Sequence, residues 1–295
     1  MTAAGGAAAM AGIAALCGTG PLDILLTNDD GTSAAGIRAL RAQLVAAGHR
    51  VTLAAPDRNA SGSALSFTWG SVRVTQDPGD PGVFTIGASP ATAVVLAATA
   101  LYPAGTRPDL VVSGINHGPN SGSLLMLSGT LGAALAGTLL LDPPVPGIAV
   151  SAGRLDPASP ADSPANRAQF EAVGTHVASL IEATRGWFCE DDRVVRARSV
   201  LNVNYPARPV DELRGTVVAA QGAATDLRVT FTAVADGEYR AQATTSDTTD
   251  HRDTDNHWLD RGYATVTPVS GEIADTRAPR ADLKRRLRRL GPRDR

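Results

Sequence analysis

The sequence predicts an α/β fold with a mostly parallel sheet, and three observations lead to this prediction. Short apolar runs of strand length alternate with longer segments that have helical periodicity. Polar residues follow several of the apolar runs abruptly, which is typical of buried parallel strands that end at a ligand site. The first strand, helix and second strand fit into about thirty residues, as in a right-handed βαβ unit.

The first βαβ unit begins with the apolar run Ile24–Leu26, which is preceded by Pro21. Residues 34–47 then carry apolar side chains at helical spacing, and Gly48 follows them as a C-cap would. The run Val51–Ala55 predicts a second short strand that stops at Pro56.

A β-hairpin is predicted next, from Val72–Val74 and Val83–Ile86 around the turn Asp77–Gly82. The apolar helix Pro90–Tyr102 follows, with Ser89 as its N-cap and Pro90 at the first position. Further along, periodicity predicts the strand Asp109–Val112, a helix from Ser128 to about Leu140, the strand Gly147–Ser151, the helix Gln169–Thr184 and the strand Val200–Val203.

Composition limits the classes of function. At 295 residues, with 43% hydrophobic and 19% charged residues, the chain has the composition of a soluble globular protein. A net charge of -2 gives no field for gathering a nucleic-acid duplex. Cys17 and Cys189 are too few for a disulfide framework and lack metal-ligand spacing, so they leave the redox compartment open.

Four regions are expected along the chain. Residues 1–21 are rich in Ala and Gly and have no basic residue before the core, so we expect a flexible leader and a cytoplasmic protein. Export is the alternative if the true start lies upstream. We expect residues 22–206 to form the core, and residues 207–270 to form a β-rich arm and its return to the core. Residues 271–295 form a basic tail, and no segment is apolar enough to span a membrane.

Two adjacent carboxylates, Asp29 and Asp30, come directly after the first strand and are followed by Gly31. Adjacent carboxylates repel each other, and burying them without a partner is unfavourable or forces protonation. A hard divalent cation accepts oxygen ligands and neutralises both charges. The alternative interpretation is a solvated Asp-Asp-Gly turn.

Three further polar segments follow apolar runs or open a helix: Pro56–Ser63, Ser113–Gly122 and Ser128–Thr130. Parallel strands bring such segments to one edge of a sheet. We therefore expect that edge to gather Asp29, Asp30, Ser61, Asn116, Asn120, Ser128 and Thr130. This oxygen-rich set suits Mg²⁺ or Mn²⁺ and not zinc. The helix start is a seat for phosphate, unless Ser128 is only an N-cap.

Other phosphate and nucleotide folds fit less well. Haloacid-dehalogenase-like phosphatases place a nucleophilic Asp where this chain has Asn28, and an amide cannot accept the phosphoryl group. Those phosphatases and response-regulator receivers also use a core lysine, whereas Lys284 lies in the tail. No Gly-x-Gly-x-x-Gly follows the first strand, which argues against a dinucleotide site.

Ordered motifs from Asp23 to Pro268 resemble those of the SurE family of 5'/3'-nucleotidases, also called stationary-phase survival protein E. The motifs that carry the resemblance are Leu25–Gly31, Ala55–Gly62, Val112–Asn120, Ser128–Thr130, Leu201–Pro206, Thr254–Tyr263 and Val266–Pro268. The resemblance implies a Rossmann-like three-layer core. It also implies a C-terminal β-hairpin arm that is exchanged between subunits, and hence a homodimer or tetramer.

The resemblance also assigns roles to residues. It implies one divalent cation per subunit, Mg²⁺ or Mn²⁺, and places Asp29 and Asp30 at the catalytic centre. The implied metal ligands are Asp29, Asp30, Ser61 and Asn116. The implied phosphate-binding residues are Asn120, Ser128, Gly129 and Thr130. His117 has two readings, as a proton donor to the leaving group or as a packing residue.

The expected function is therefore hydrolysis of nucleoside 5'-monophosphates, with 3'-monophosphates left open, by a metal-dependent phosphomonoesterase. One alternative is a non-catalytic nucleotide- or phosphate-binding protein, and another is a phosphatase of broader, acid-phosphatase-like specificity. Two departures from the family pattern bear on the substrate. Gly87–Thr92 lacks the usual acidic residue, and Leu124–Leu127 replaces a more polar stretch.

Overall fold

The computed structural model describes residues 15–222, 228–244 and 252–271. Strands in this part of the chain are β1 (Asp23–Thr27), β2 (Arg50–Pro56), β3 (Val74–Asp77), β4 (Asp80–Ile86), β5 (Leu110–His117), β6 (Gly147–Ala152), β7 (Cys189–Glu190), β8 (Arg193–Val194), β9 (Ser199–Tyr205), β10 (Thr216–Val218), β11 (Arg228–Ala235), β12 (Glu238–Thr244) and β13 (Ala264–Ser270).

The helices of the described residues are α1 (Ala35–Ala46), α2 (Pro90–Leu96), α3 (Gly129–Leu140), α4 (Pro164–Phe188) and α5 (Asp255–Leu259). Shorter helical turns are a wide π turn at Ala97–Leu101 and 3₁₀ turns at Gly122–Leu127 and Val210–Glu212.

Nine of these strands form the main sheet, in the order β10-β13-β9-β6-β5-β1-β2-β4-β3. Strand β1 pairs in parallel with β2 on one side and with β5 on the other. The pairs β3–β4 and β9–β13 are antiparallel. The chain therefore leaves β1 towards one side and returns on its other side, and the carboxyl end of β1 is the switch point where open α/β sheets bind ligands.

Helices cover both faces of this sheet, which confirms the predicted α/β architecture. Alternate residues of a strand point to opposite faces. Ile24 and Leu26 of β1 accordingly join the core that includes residues of α1 and α4, whereas Leu25 joins the core that includes residues of α2 and α3. The fold is thus three layers, with helices α1 and α4 on one face and α2 and α3 on the other.

Strand β5 is longer than the predicted Asp109–Val112, because it continues to His117. Its pairing with β6 shifts between Ser113 and Asn116. Gly114 in this stretch has a φ of 138°, and a β-carbon there would collide with the carbonyl oxygen of Val150. The glycine allows the two backbones to approach closely, so Asn116 lies within the strand and not in the polar loop that was expected to hold it.

The helix boundaries also differ in places. Ser89 caps α2 as expected, since its Oγ accepts from the N–H of Thr92 at 3.4 Å, but α2 becomes the π turn at Ala97. Helix α4 begins earlier than the predicted Gln169, because Ser163 caps it and Pro164 occupies its first position.

The predicted β-rich arm contains two different parts. Strands β10 and β13 belong to the main sheet, where they pair in parallel with each other. The hairpin β11–β12 is a separate two-stranded sheet. Its register pairs Phe231 with Ala241 and Ala233 with Tyr239, and the side chains of Val229, Phe231 and Tyr239 are about half to two-thirds exposed. The hairpin therefore presents an apolar face to solvent.

Residues 15–21, which were predicted to belong to a flexible leader, pack against the core in the structure. Leu16 is 1% exposed and joins the main core, and Cys17 forms a disulfide with Cys189 across a separation of 172 residues. Arg185 donates hydrogen bonds to the carbonyl oxygens of Gly18, at 2.7 Å, and Gly20, at 2.8 Å. This segment, which we call the N-terminal strap, is held against α4. Residues 1–14 and most of the predicted basic tail lie outside the described residues.

No helix in the described ranges is long and apolar enough to cross a membrane.

Loss of the Cys17–Cys189 disulfide should lower thermal stability. A crosslink over this separation restricts the unfolded chain, and such disulfides contribute about 2–4 kcal/mol. We expect the melting temperature of the oxidised protein to fall on addition of reductant and to match that of the double variant Cys17→Ser/Cys189→Ser. Reductant should not change the melting temperature of the double variant. A wild-type protein with two titratable thiols and a melting temperature insensitive to reductant would contradict this pairing.

Candidate functional site

The site begins with the paired carboxylates at the carboxyl end of β1. Asp29 is 3% exposed, and the side chain of Asp30 is 6% exposed. Burial raises the pKa of both carboxyl groups above the ordinary value, and the charge of Asp30 raises the pKa of Asp29 further. The Oδ2 atom of Asp30 has no hydrogen-bond partner among the described residues. The solvated turn considered above is therefore not what this sequence forms.

The start of helix α3 lies directly against Asp29. Thr130 Oγ1 donates to Asp29 Oδ1 at 2.7 Å, and this hydrogen bond opposes the rise in the pKa of Asp29. Ser128 Oγ accepts from the N–H of Leu131 at 3.0 Å, so Ser128 is the N-cap of the helix. The positive end of the α3 dipole thus faces the carboxylates.

Gly129, the first residue of α3, makes this close approach possible. A β-carbon at this position would lie 2.5 Å from Ser63 Oγ and 2.7 Å from Asp29 Oδ2. Any other residue would push the helix away from β1 and from the loop that follows β2. Because Gly129 begins the helix, its N–H has no intrahelical acceptor and is available to an anion.

The loop after β2 closes over the carboxylates from the other side. The N–H of Ala60 donates to the carbonyl oxygen of Asp29 at 2.7 Å, and Asn59 Nδ2 donates to Asp30 Oδ1 at 3.1 Å. Asn59 Oδ1 in turn accepts from the N–H of Ser61 at 3.0 Å. Asn59 therefore links the backbone of Ser61 to Asp30, and Ser61 is exposed.

Strand β5 supplies the third side of the site. Asn116 Nδ2 donates to the carbonyl oxygen of Gly118 at 2.8 Å, which leaves the carboxamide oxygen as the atom that can coordinate a cation. His117 Nδ1 lies 3.7 Å from Asp30 Oδ1, and its ring stacks on Phe170 at 5.1 Å. Burial lowers the pKa of His117, so the imidazole is neutral at pH 7.

Asn120 is fixed by groups that the sequence analysis did not identify. Its N–H donates to Asn204 Oδ1 at 2.7 Å, its Nδ2 donates to Ser151 Oγ at 2.9 Å, and its carbonyl oxygen accepts from Asn202 and Asn204. Asn202 and Asn204 are fully buried on the same face of β9. Asparagines at two alternate positions of an otherwise apolar strand are a sequence signal that could have identified Asn202 and Asn204 as hydrogen-bonding residues of the site.

Asp255 holds the turn that leads into α3. Its fully buried carboxylate accepts from the N–H groups of Gly122 at 3.0 Å, Gly222 at 2.8 Å and Asn256 at 2.9 Å. Gln221 Nε2 also donates to the carbonyl oxygen of Gly122 at 3.0 Å. The C-terminal segment therefore positions the 3₁₀ turn Gly122–Leu127, although the sequence analysis gave Asp255 no such role.

Two apolar side chains stand beside the start of α3. Met126 is 59% exposed and Leu127 is 48% exposed, whereas Leu125 in the same turn is buried. The carbonyl oxygen of Leu127 accepts from the N–H of Ala64 at 3.2 Å, which ties this turn to the loop after β2. We call Met126 and Leu127 the apolar rim of the site.

The chemistry of these residues fits a hard divalent cation. Among the described residues, no three His, Cys, Asp or Glu side chains come together as a metal cluster. The centre is instead a pair of buried carboxylates with neutral oxygen donors near them, and Asp30 Oδ2 lacks a partner. Mg²⁺ and Mn²⁺ prefer such oxygen ligands, and a cation would offset the repulsion between Asp29 and Asp30.

Comparison with known proteins identifies the family. The model of the family described as "Survival protein SurE" matches residues 24–226 of this chain.

The chain belongs to the SurE family.

Its relatives match over most of its length. A protein named "5'-nucleotidase SurE" from Solidesulfovibrio magneticus is 36% identical over 275 residues, which cover 90% of this chain and 97% of that one. A protein of the same name from Laribacter hongkongensis is 34% identical over 256 residues, covering 86% and 94% of the two chains. The crystal structure of the SurE protein from Aquifex aeolicus superimposes with a TM-score of 0.70 at 28% identity, over 89% of this chain and 98% of that one.

These SurE matches confirm the resemblance inferred from the ordered motifs, and the Aquifex aeolicus structure confirms the α/β fold. SurE proteins are metal-dependent as a family, which agrees with the donor set around Asp29 and Asp30. The individual roles of all the predicted site residues stay predictions: Asp29, Asp30, Ser61, Asn116, Asn120, Ser128, Gly129 and Thr130.

Cation binding should depend on the paired carboxylates. Because folding raises the pKa values of Asp29 and Asp30, protonation of these groups contributes to the free energy of unfolding at low pH. This contribution is lost as the pH rises through their pKa values in the folded protein. A cation removes this loss. We expect Mn²⁺ to raise the melting temperature of the wild type, and to do so more at pH 8 than at pH 5, where protons compete for the carboxylates.

In Asp29→Asn and Asp30→Asn, the melting temperature should no longer respond to Mn²⁺, and hydrolytic activity should be lost while circular dichroism is retained. Asp57→Asn is the matched control, because Asp57 is an exposed acid on the loop after β2. An equal Mn²⁺ response in the wild type and in both site variants would remove Asp29 and Asp30 from the metal site.

Proposed function

We propose that this chain is a metal-dependent phosphomonoesterase that hydrolyses nucleoside 5'-monophosphates to nucleoside and phosphate. The observation that carries the proposal is the pair of buried carboxylates, Asp29 and Asp30, placed against the free amino end of α3. This arrangement provides adjacent positions for a divalent cation and for a phosphate monoester. The names of the relatives support the same activity.

The residues of the chain then have separate tasks. The bound cation, Mg²⁺ or Mn²⁺, would polarise the phosphoryl oxygen and lower the pKa of a water molecule. Asp29 and Asp30 would hold it together with Ser61 and Asn116. Thr130 orients the carboxylate of Asp29, and Asn59 orients that of Asp30.

The phosphate would lie at the start of α3. There the N–H of Gly129 and the helix dipole favour an anion, with Ser128 and Asn120 in the surrounding segments. Burial lowers the pKa of His117, so its imidazole is neutral at pH 7, and its ring stacks on Phe170. These two observations favour a positioning role for His117 over donation of a proton from an imidazolium.

The apolar rim supports a nucleoside as the leaving group. Exposed Met126 and Leu127 offer apolar contact to a flat base next to the phosphate seat, and methionine packs well on aromatic rings. A sugar phosphate without a base cannot use this contact. The rim therefore favours nucleotides over small phosphomonoesters, in contrast to the alternative of broad, acid-phosphatase-like specificity.

The substrate can be tested with a panel of phosphomonoesters assayed with and without chelator. We expect phosphate release from nucleoside 5'-monophosphates, with kcat/KM roughly tenfold or more above ribose 5-phosphate, since contacts of this size are worth about 1–2 kcal/mol. Chelator should abolish release, and Mn²⁺ or Mg²⁺ should restore it.

Leu127→Ser should lower kcat/KM for nucleotides and leave that for ribose 5-phosphate unchanged. Val45→Ser is the control, since Val45 is equally exposed in the last turn of α1, at the far end of the sheet. Nucleotide binding without phosphate release would favour the non-catalytic alternative, and equal rates on all substrates would favour broad specificity.

We propose that the protein is a homodimer or a larger even oligomer that uses the β11–β12 hairpin. A lone two-stranded hairpin is marginally stable in water and exposes edges that pair with other chains. Here its apolar face carries the exposed side chains Phe231 and Tyr239, which a second subunit would bury. Exchange of identical arms is a simple route to a symmetric dimer.

Phe231→Asp should dissociate this oligomer, because it places a charge in the apolar face. Thr232→Asp is the matched control, since Thr232 is the next residue and points to the opposite face, where it bonds Gln242. Light scattering at micromolar concentration should show a smaller species for Phe231→Asp only. A fully active wild-type monomer would contradict the exchange of arms.

We infer that the chain works in an oxidising compartment, which favours the exported alternative over the cytoplasm. The Cys17–Cys189 disulfide supports this inference, because such bonds rarely persist where thiols are kept reduced. Thiol titration of protein whose free thiols were alkylated at lysis tests this inference: no alkylated cysteine is expected, and alkylation of Cys17 and Cys189 would favour the cytoplasm.

A further inference from the structure

We propose that Ser63 binds the substrate's phosphate, by donating its hydroxyl hydrogen bond to a phosphoryl oxygen at the start of α3. Ser63 is a neighbour of the predicted metal ligand Ser61, but no motif assigned it a role. The inference rests on the proposed phosphomonoesterase function.

The hydroxyl of Ser63 is buried and unsatisfied. Its Oγ atom has no hydrogen-bond partner among the residues that the structure describes. A buried hydroxyl without a partner is unfavourable, and such groups in folded proteins mark a water, an ion or a ligand. The position of the Ser63 hydroxyl is informative, because Gly129 and Asp29 of the site lie beside it.

Geometry places this hydroxyl at the phosphate seat. Ser63 Oγ and Asp29 Oδ2 lie 2.5 Å and 2.7 Å from the position that a β-carbon of Gly129 would occupy. Gly129 therefore packs directly against both groups, and the hydroxyl of Ser63 lies beside the first residue of α3. A phosphate monoester bound at the N–H groups of this helix start would lie beside the Ser63 hydroxyl.

The backbone around Ser63 is fixed, so the hydroxyl is held in place. The N–H of Ser63 donates to the carbonyl oxygen of Ala60 at 3.1 Å, and the N–H of Ala64 donates to that of Leu127 at 3.2 Å. The carbonyl oxygen of Ala64 also packs directly on Gly132 in the first turn of α3. The loop and the helix therefore form one unit, and Ser63 belongs to the same unit as the helix start.

The two hydroxyl groups that the motif would assign to phosphate are already engaged. Ser128 Oγ accepts from the N–H of Leu131, and Thr130 Oγ1 donates to Asp29 Oδ1. Ser63 is thus the hydroxyl at this helix start that neither donates nor accepts a hydrogen bond among the described residues. Donation to a phosphoryl oxygen would satisfy it without disturbing the N-cap or the orientation of Asp29.

Ser63→Ala tests the assignment, with binding of inorganic phosphate as a readout that does not depend on turnover. Loss of one hydrogen bond to a charged group should weaken phosphate binding, measured by calorimetry in the presence of Mn²⁺, by roughly tenfold or more. The kcat/KM for a nucleoside 5'-monophosphate should fall by a similar factor. The rise in melting temperature on adding Mn²⁺ alone should be unchanged. Ser66→Ala is the control, because Ser66 is an exposed serine of the same loop.

The outcomes separate the two proposals. Normal phosphate binding by Ser63→Ala overturns the role of Ser63, even in an active enzyme. A loss of the Mn²⁺ response in Ser63→Ala overturns it as well, because the hydroxyl would then serve the cation. If the wild type binds phosphate but hydrolyses no ester, and Ser63→Ala weakens that binding, the assignment of Ser63 stands and the proposed function fails.

Discussion

Asp29 and Asp30 are neighbours in the sequence, both are buried, and the first strand of the sheet delivers them to the same edge. Burial raises the pKa of both carboxyl groups, and the charge of Asp30 raises that of Asp29 further, so the folded protein keeps them charged only with nearby donors or a cation. Thr130, Asn59 and the amino end of α3 are arranged around this requirement. The loops and the helix that meet at the site therefore supply the hydrogen-bond donors that two buried carboxylates require.

Distant parts of the chain hold these surroundings in place. Asp255 in the C-terminal segment bonds the backbone at Gly122, and Asn204 in β9 bonds Asn120, so the turn before α3 is tied to the far half of the sheet. At the base of the arm, Gln221 donates to the carbonyl oxygen of Gly122 in the same turn, and the N–H of Gly222 donates to Asp255. These hydrogen bonds connect the base of the arm to the turn before α3 without involving Asp29 or Asp30.

The sequence predicted those features that depend on local patterns. The β1-α1-β2 unit, the Ser89 cap and the polar residues after β1 follow from periodicity, capping and turn chemistry over a few residues. Features that depend on pairing across the chain were missed or misplaced. The strand β10 joins the main sheet only because β13 is its neighbour, Asn116 falls within β5 because Gly114 lets that strand approach β6, and Cys17 meets Cys189 only in the folded chain. The open hydroxyl of Ser63 is visible only once Gly129 lies beside it.

The most direct test of the central claim is a crystal structure of the protein grown with Mn²⁺ and a phosphate analogue such as vanadate. The anomalous signal should place one Mn²⁺ per subunit within about 2.3 Å of carboxylate oxygens from both Asp29 and Asp30. The vanadate should lie between this ion and the N–H of Gly129. A manganese ion bound elsewhere, or carboxylates that bond only to protein groups and water with the vanadate at another surface, would contradict the account.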